Sequence, residues 1–291
     1  MRRREPMRHF HFTDRGNAVN EDFACSTPRY GIVIDGATGL AGAPLFAGRF
    51  GSNAQWFSHV VGAAVCEALD AGHPAEKALA RAVDAARAEL EGALGCSLAQ
   101  VDPDAVPSAT LALAVVSGDA VELYGLGDSP LVAVLRDGST FFSTDEVLEG
   151  LDAEALRVSR ERAAASGRAL SGPEKRALVD DVILDHRRMR NAEGGYWCLD
   201  PSGAGLAHLR RATLPRSEVV AVAGMSDGMW RVFGLFGLAD AASELPALSA
   251  GRVAELVAEL RALEARDPDY VRYPRLKRSD DVSVFWLGGE E

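Results

Sequence analysis

The sequence has no long uninterrupted run of apolar residues. Its longest uncharged stretches, such as residues 51–66, are broken by polar side chains. They fall short of the roughly 20 apolar residues that a membrane-spanning helix needs. Arg2, Arg3 and Arg4 are followed by no apolar segment of the kind found in secretory signals. We therefore expect a cytoplasmic protein that has no membrane partner.

Cysteine is scarce, and basic charge is not in excess. Cys25, Cys66, Cys96 and Cys198 lie far apart and form no CxxC pair, which indicates reduced thiols. The formal net charge is −11, whereas binding to nucleic-acid phosphates requires basic patches. A P-loop of the form GxxxxGK[ST] is also absent. We therefore expect neither a nucleic-acid partner nor nucleotide hydrolysis by a P-loop.

The order of helical and strand patterns predicts the fold class. With no low-complexity tract, repeat or long linker, the chain is expected to form a single domain over residues 1–291. Strands are predicted at 22–26, 31–35, 109–117, 120–126, 131–136, 139–143, 196–199, 218–223 and 282–287, and helices at 52–70, 74–92, 145–168, 173–190 and 251–265. This grouping predicts an α+β fold, a four-layer αββα sandwich with two mainly antiparallel sheets between helix pairs.

A pair of acids lies at one end of a predicted hairpin. If its turn is centred between Pro28 and Arg29, residues whose numbers sum to 57 face each other, and Asp22 lies opposite Asp35. Opposed carboxylates need a cation between them or raised pKa values, and Mg²⁺ and Mn²⁺ prefer such oxygen ligands. A register change of one residue would separate the acids, and an ordinary Asp35-Gly36 turn is the alternative interpretation.

Three further acids lie where predicted strands begin or end. Asp227 follows an apolar strand and precedes a glycine, which repeats the arrangement at Asp35. Asp280 lies just before the last strand, and antiparallel neighbours would bring it to the same sheet end as Asp227. Asp128 follows Gly127, where glycine interrupts a strand. The acids are therefore candidates for one site.

Together these segments resemble the ordered motifs of the PP2C (PPM) family of metal-dependent Ser/Thr protein phosphatases. The motifs are Asn20-Glu21-Asp22, Val33-Ile34-Asp35-Gly36, Ser108-Ala109-Thr110, Gly127-Asp128-Ser129, Ser226-Asp227-Gly228 and Ser279-Asp280-Asp281. The resemblance runs from about Thr13 to Leu287, and this motif order is specific to that family.

The resemblance implies a site for two divalent ions, Mg²⁺ or Mn²⁺. It implies that Asp35 bridges both ions and that the Gly36 carbonyl oxygen binds one of them. Asp227 and Asp280 would ligate the first ion. The implied reaction is attack of a metal-bridging hydroxide on phosphoserine or phosphothreonine, without a phosphoenzyme.

Three other residues take supporting roles by the same resemblance. Glu21 would hold the second ion through water, and Asp22 would orient the bridging water. Asp128 would support the third, weaker ion of bacterial members. The implied partner is a phosphorylated protein, and a monomer is the default expectation.

Several positions depart from the family pattern. Asn17 stands where the arginine that contacts substrate phosphate is usual, and Arg15 is the nearest substitute. Ala37 stands where some members have histidine, and the usual glycine-rich run is here 37–40. Asp281 replaces the usual asparagine, an extra anion that would tighten or disturb metal binding. Two alternatives stay open, a catalytically weak binding module and a small-molecule phosphomonoesterase on the same fold.

Overall fold

The computed structural model describes residues 5–37 and 43–288, and all structural statements concern those residues. The strands are β1 (Arg8–Asp14), β2 (Phe23–Thr27), β3 (Tyr30–Ala37), β4 (Ser108–Ser117), β5 (Ala120–Leu126), β6 (Leu131–Leu135), β7 (Thr140–Ser143), β8 (Arg210–Pro215), β9 (Val219–Met225) and β10 (Val282–Gly288). The α-helices are α1 (Asn53–Asp70), α2 (Ala75–Leu94), α3 (Glu146–Ala165), α4 (Gly172–Ala177), α5 (Asp180–Arg188), α6 (Asp227–Trp230), α7 (Ala241–Glu244) and α8 (Ala250–Arg266).

The strands form two five-stranded sheets in which all the paired strands are antiparallel. One sheet has the order β1-β10-β9-β6-β7, and the other has the order β2-β3-β4-β5-β8. Helices α1 and α2 pack their apolar faces on the second sheet, while α8 packs on the first. The predicted α+β fold with an αββα sandwich is therefore confirmed.

The facing surfaces of the two sheets pack tightly around Phe285 of β10. This side chain is fully buried together with residues of both sheets. A Cβ atom on Gly31 of β3 would lie 2.2 Å from the Phe285 ring, and one on Gly224 of β9 would lie 2.3 Å from it. Because interiors are packed at nearly crystalline density, both glycines are needed to admit the ring. This packing fixes β3 against β9 and β10, the strands that carry the candidate acids.

Every element predicted before residue 170 is confirmed, and the predicted elements that differ from the structure lie after it. The helix predicted at 173–190 is two helices, because the chain breaks at the buried Val179. The strand predicted at 196–199 is wrong, since these residues form only isolated bridges. The edge strand β8 was not predicted. Residues 38–40, which belong to the segment that replaces the family's glycine-rich run, lie outside the described residues. No helix in the described ranges is long and apolar enough to cross a membrane.

Candidate functional site

The β2–β3 hairpin has the predicted register, with residue numbers that sum to 57. Phe23 pairs with Ile34, the last pair before the ladder ends. One position further on, Asp22 and Asp35 follow on the same side of the hairpin, because side chains alternate along a strand. On its other edge Asp35 pairs with Thr110 of β4. The hairpin therefore presents two carboxyl groups at one end of the second sheet.

Both carboxyl groups are held in an environment that opposes their ionisation. Asp22 is 3% exposed, and its Oδ2 atom has no hydrogen-bond partner among the described residues. Burial raises the pKa of Asp22 to about 7, and the nearby Asp280 and Asp281 add to the rise. Burial also raises the pKa of Asp35 well above its ordinary range, with Asp22 as the next cause. Among the described residues, the positive charge near Asp35, that of Lys277, does not offset the effect of burial and of the neighbouring acids.

The adjoining end of the first sheet brings Asp227 and Asp280 to the same place. β9 and β10 are antiparallel neighbours, and beyond their last pair the Ser226 N–H donates to the Ser283 carbonyl at 3.0 Å. Asp227 then begins α6, and its backbone N–H lies 3.4 Å from the Asp35 Oδ2 atom. The adjoining ends of β9 and β10 in the first sheet thus meet the end of the β2–β3 hairpin in the second sheet.

Asp280 is the acid of the cluster with the shortest contacts to cations, whereas the nearest such contact of Asp227 is 3.9 Å, to the Arg231 Nη2 atom. The Asp280 Oδ2 atom lies 2.7 Å from the Arg231 Nη2 atom and 2.5 Å from the Lys277 Nζ atom. Its Oδ1 atom accepts a hydrogen bond from the Asn17 side-chain amide at 3.1 Å. Burial opposes the ionised form, but Lys277 and Arg231 outweigh it and leave the pKa of Asp280 below its ordinary value.

Asp128 follows β5 and lies close enough to Asp227 for the two charges to interact. Burial raises the pKa of Asp128 to about 8, and the charges of Asp227 and of Asp152 in α3 contribute. Asp152 was not predicted, because it lies in a helical pattern with no motif around it. The loop that carries Asp128 follows Gly127, whose φ of 67° favours glycine.

Helix α1 holds the segment that contains Glu21 and Asp22. The hydroxyl group of Ser52, the N-cap of α1, donates to the Glu21 Oε1 atom at 2.5 Å. Nearly two turns further on, the Ser58 hydroxyl donates to the Glu21 carbonyl at 2.5 Å, and the His59 Nε2 atom lies 2.9 Å from the Asp22 carbonyl. These supports were missed, although polar residues at helical spacing in an apolar helix are a recognisable signal.

Gly36 passes close to the backbone of the same segment. A Cβ atom at this position would lie 2.6 Å from the Glu21 carbonyl oxygen and 3.1 Å from that of Ala54. The absence of a side chain therefore lets the Asp35-Gly36 backbone approach the Glu21 segment.

Asp281 organises the loop between β1 and β2. It is 4% exposed, and its Oδ1 atom accepts hydrogen bonds from the backbone N–H groups of Gly16 at 2.8 Å and Asn17 at 3.1 Å. Its Oδ2 atom accepts from the Glu21 N–H at 3.0 Å. The extra anion in this position thus binds backbone donors of the loop. Arg15 is exposed, and its Nη1 atom donates to the Ala18 carbonyl at 3.4 Å within the loop.

The structure brings the predicted acids of the site together, while the predicted Arg15 is exposed and donates within its own loop. The residues that meet at this end of the two sheets are Glu21, Asp22, Asp35, Gly36, Asp128, Asp227 and Asp280. Two cations were missed, Arg231 and Lys277, four residues after Asp227 and three before Asp280. Their only sequence signal is that spacing.

The chemistry of these donors fits a hard divalent cation. Asp22 has an orphaned oxygen atom, and the carboxyl groups of Asp35 and Asp227 have raised pKa values because burial is not offset by enough positive charge. Within residues 5–37 and 43–288, no three Asp, Glu, His or Cys side chains stand in a preformed metal-binding group. The acids therefore lie near one another without forming a ready-made metal-binding group in the described part of the chain.

We expect the stability of the metal-free protein to fall as the pH rises from 5 to 7. The folded state keeps a proton on Asp22, whose pKa of about 7 exceeds its ordinary value, whereas the unfolded state loses it above pH 4. This stabilisation is complete below pH 4 and is lost through pH 7, at about 1.4 kcal/mol per pH unit. Urea unfolding in EDTA at pH 5, 6 and 7 measures the slope.

Asp22→Asn is the matched variant for this pH dependence. It should reduce the slope by about 1.4 kcal/mol per pH unit, since this side chain no longer titrates, while the raised pKa values of Asp35, Asp128 and Asp227 maintain the remainder. Mn²⁺ added to the native protein at pH 8 should restore stability. A native protein whose stability rises from pH 5 to 7 in EDTA would contradict the expectation.

One further pattern at this site has a structural explanation. Gly224-Met225-Ser226-Asp227-Gly228 has the spacing GxSxG of serine-hydrolase elbows. Ser226, however, is fully buried, and its Oγ atom accepts the Ser283 N–H at 2.9 Å. A Cβ atom on Gly228 would lie 1.9 Å from the Asp281 carbonyl oxygen. The serine therefore joins β9 to β10 and is not an accessible nucleophile.

Comparisons with known proteins agree with this geometry. Residues 15–260 match the family model described as protein phosphatase 2C, a range that ends before Asp280. A comparison with curated proteins finds no match.

Among solved structures, one relative is the catalytic domain of the serine/threonine protein phosphatase PstP in complex with two manganese ions. It has 19% identity and a TM-score of 0.55, over 98% of this chain and 99% of that one. Stp1 from Staphylococcus aureus has 14% identity and a TM-score of 0.57, over 100% of this chain and 98% of that one. PppA from Pseudomonas aeruginosa has 17% identity and a TM-score of 0.54, over 99% of both chains. These likenesses support the fold.

Proposed function

Because the chain belongs to the protein phosphatase 2C family, we propose that it hydrolyses phosphoserine and phosphothreonine monoesters with divalent metal ions held by its acidic cluster. The enzyme class predicted from the sequence, a protein phosphatase, agrees with that family. The finer statements, on the metal ions, the substrate and the role of each residue, are the proposal.

The observation that carries the proposal is the buried, uncompensated pair Asp22 and Asp35 beside Asp227. Burying like charges without a counter-ion costs free energy, and a protein retains them where a cation or a proton has a function. PstP, which shares the fold, is a serine/threonine phosphatase crystallised with manganese. That relative supports Mn²⁺ or Mg²⁺ as the ions of this chain.

The proposed ion ligands are the carboxyl groups of Asp35, Asp227 and Asp280 and the carbonyl oxygen of Gly36. Glu21, oriented by the Ser52 hydroxyl, holds an ion through water. When bound, the ions lower the pKa of the attacking water and neutralise charge on the transferring oxygens.

Two further acids act beside these ligands. Asp22 orients the attacking water through its Oδ2 atom, which has no partner among the described residues. Asp128 supports a third, weaker ion. With the ions bound, these residues would hold the activated water for hydrolysis of the phosphate ester, and no described residue is proposed as a covalent nucleophile.

A catalytically weak binding module is the second candidate, and one observation favours it. Both oxygen atoms of Asp280 already have partners, namely Asn17, Arg231 and Lys277. If these bonds persist, Asp280 contributes no metal ligand and the site would recognise phosphate without hydrolysing it.

Hydrolysis assays separate these functions. We expect release of p-nitrophenol from p-nitrophenyl phosphate, and of phosphate from phosphoserine and phosphothreonine peptides, that requires Mn²⁺ or Mg²⁺. EDTA should abolish it, and excess Mn²⁺ should restore it. No hydrolysis with either metal would refute the enzyme and leave the binding module. Hydrolysis of the small ester but of no phosphopeptide would indicate a small-molecule phosphomonoesterase.

A further inference from the structure

The position where the family has a phosphate-binding arginine carries no positive charge in this chain. Asn17 is an exposed residue whose side-chain amide donates to Asp280 at 3.1 Å. Arg15, two residues earlier, is exposed and donates to the Ala18 carbonyl at 3.4 Å in its own loop. An enzyme that binds a phosphoryl dianion still needs a cationic donor beside its metal ions.

Two other cations share the Oδ2 atom of Asp280. Arg231 is largely buried, with 12% of its side chain exposed, and its Nη1 atom lies 3.7 Å from the buried Glu264. It is enclosed by acids on both sides and has little freedom to move. Lys277 is different, because 52% of its side chain is exposed although its Nζ atom lies 2.5 Å from Asp280. The ammonium group therefore lies between the acidic cluster and solvent.

We propose that Lys277 binds the phosphoryl group of the substrate, in place of the missing arginine. The inference rests on the proposed function, since it assigns a substrate contact at the same site. Arg231 is then a positioning residue that holds Asp280, while Lys277 is the group that touches substrate.

The position of Lys277 in the chain supports this role. Its backbone is anchored nearby, because the buried Arg275 donates from Nε to the Arg278 carbonyl at 3.0 Å and from Nη1 to Asp267 at 2.8 Å. Because the backbone is fixed and the side chain is a flexible four-carbon stem, the ammonium group can move a few ångströms while the Cα atom of Lys277 stays in place. The contact with Asp280 is replaceable, since Arg231 remains on the same oxygen.

The charge balance of the cluster points the same way. The Lys277 ammonium lies on the Oδ2 atom of Asp280, and the Arg231 guanidinium on the same oxygen atom lies 3.9 Å from Asp227. The two cations therefore face the acids that are proposed to hold the ions. When metal ions take over the neutralisation of these acids, the ammonium donors become available to a phosphate anion at the same place.

The competing interpretation is that Lys277 only neutralises Asp280 in the metal-free protein. The two interpretations differ in what Lys277→Met does. A purely neutralising lysine would compete with the ions, so its loss would tighten Mg²⁺ binding and leave phosphate binding unchanged. A phosphate-binding lysine would be needed for the anion after the ions are bound.

Calorimetric titration of inorganic phosphate into the full chain, saturated with Mg²⁺, tests the inference. We expect Lys277→Met to weaken phosphate binding about tenfold, the loss of one charge-assisted contact. Lys277→Arg should recover most of the affinity, because it keeps the charge. Lys77→Met, a substitution of an exposed lysine on α2, is the matched control and should change nothing. Titration of Mg²⁺ into each variant verifies that the ions still bind.

The outcomes separate the inference from the proposed function. Phosphate affinity that is unchanged in Lys277→Met, or lost instead in Arg15→Met, would overturn the inference, as would a native protein that does not bind phosphate. A protein that binds phosphate through Lys277 but hydrolyses no ester would uphold the inference and refute the phosphatase. In an active enzyme, Lys277→Met should raise the KM for p-nitrophenyl phosphate about tenfold.

Discussion

Replacement of Asp35 by asparagine should reduce metal-dependent ester hydrolysis by about a thousandfold and yet stabilise the metal-free protein. Asp35 lies at the centre of the cluster, and after burial the charges of Asp22 and Asp227 are the main causes of its raised pKa. Asparagine keeps the size and the oxygen acceptor but removes the charge that attracts the ions. Loss of one electrostatic group in a catalytic centre costs about 10²–10³ in rate, and a shared metal ligand belongs at the upper end.

The same substitution should increase the free energy of unfolding of the metal-free protein by about 1–2 kcal/mol at pH 8, since it removes buried like-charge repulsion. Hydrolysis of p-nitrophenyl phosphate with Mn²⁺ and urea unfolding in EDTA measure the two effects. Asp84→Asn on α2, whose side chain is 72% exposed, is the control. Activity above one tenth of the native rate would rule out Asp35 as the shared ligand. A less stable metal-free variant would contradict the charge argument.

Replacement of Asp281 by alanine should destabilise the protein by about 3–5 kcal/mol. The carboxylate accepts three backbone hydrogen bonds, from Gly16, Asn17 and Glu21, and it is almost fully buried. Each buried donor left without a partner costs about 1–3 kcal/mol, less where water enters the space. Since Glu21 and Asp22 belong to the same loop, metal affinity should fall with stability.

Urea unfolding with and without Mn²⁺ measures this effect, and Asp281→Asn is the informative comparison. Its amide oxygen can still accept from Gly16 and Asn17, but its NH₂ group would face the Glu21 N–H. We therefore expect a loss of about 1–2 kcal/mol, between the native protein and the alanine variant. If Asp281→Ala unfolds at the same urea concentration as Asp84→Asn, then the loop does not depend on this carboxylate.

The accuracy of the sequence predictions followed the range of the interactions involved. The β2–β3 register was predicted correctly, because a short turn determines which residues face each other across a hairpin. β5 also has its predicted bounds, between two turns rich in glycine and aspartate. Such elements depend on neighbours a few residues away, so their signals are local.

Errors occurred where distant segments decide the structure. β8 is an edge strand that pairs only with β5, some 90 residues earlier, and Arg210 and Arg211 obscure its alternation of polar and apolar residues. Residues 196–199 have the apolar character of a strand, but Leu199 only makes an isolated bridge to Ala109. In both cases the availability of a neighbouring strand to pair with, and not the local sequence, decided whether the segment became a strand.

For the site, the sequence alone was sufficient to identify the acids and the order of their motifs. An acid at the end of a buried strand, followed by a glycine, is a local pattern, as at Asp35 and Asp227. Antiparallel connection of neighbouring strands then predicts that such ends meet. That much follows from strand direction and side-chain alternation, which depend on residues close in the chain.

Only the tertiary structure decided which charges face which. It placed Arg231 and Lys277 on Asp280, joined the Asn17 amide to the same carboxylate and bonded Asp281 to the backbone of the loop. These contacts join residues up to 265 positions apart. The reason is physical, since burial and the distance between charges determine both pKa values and ion pairing, and neither quantity exists until the two sheets have packed together.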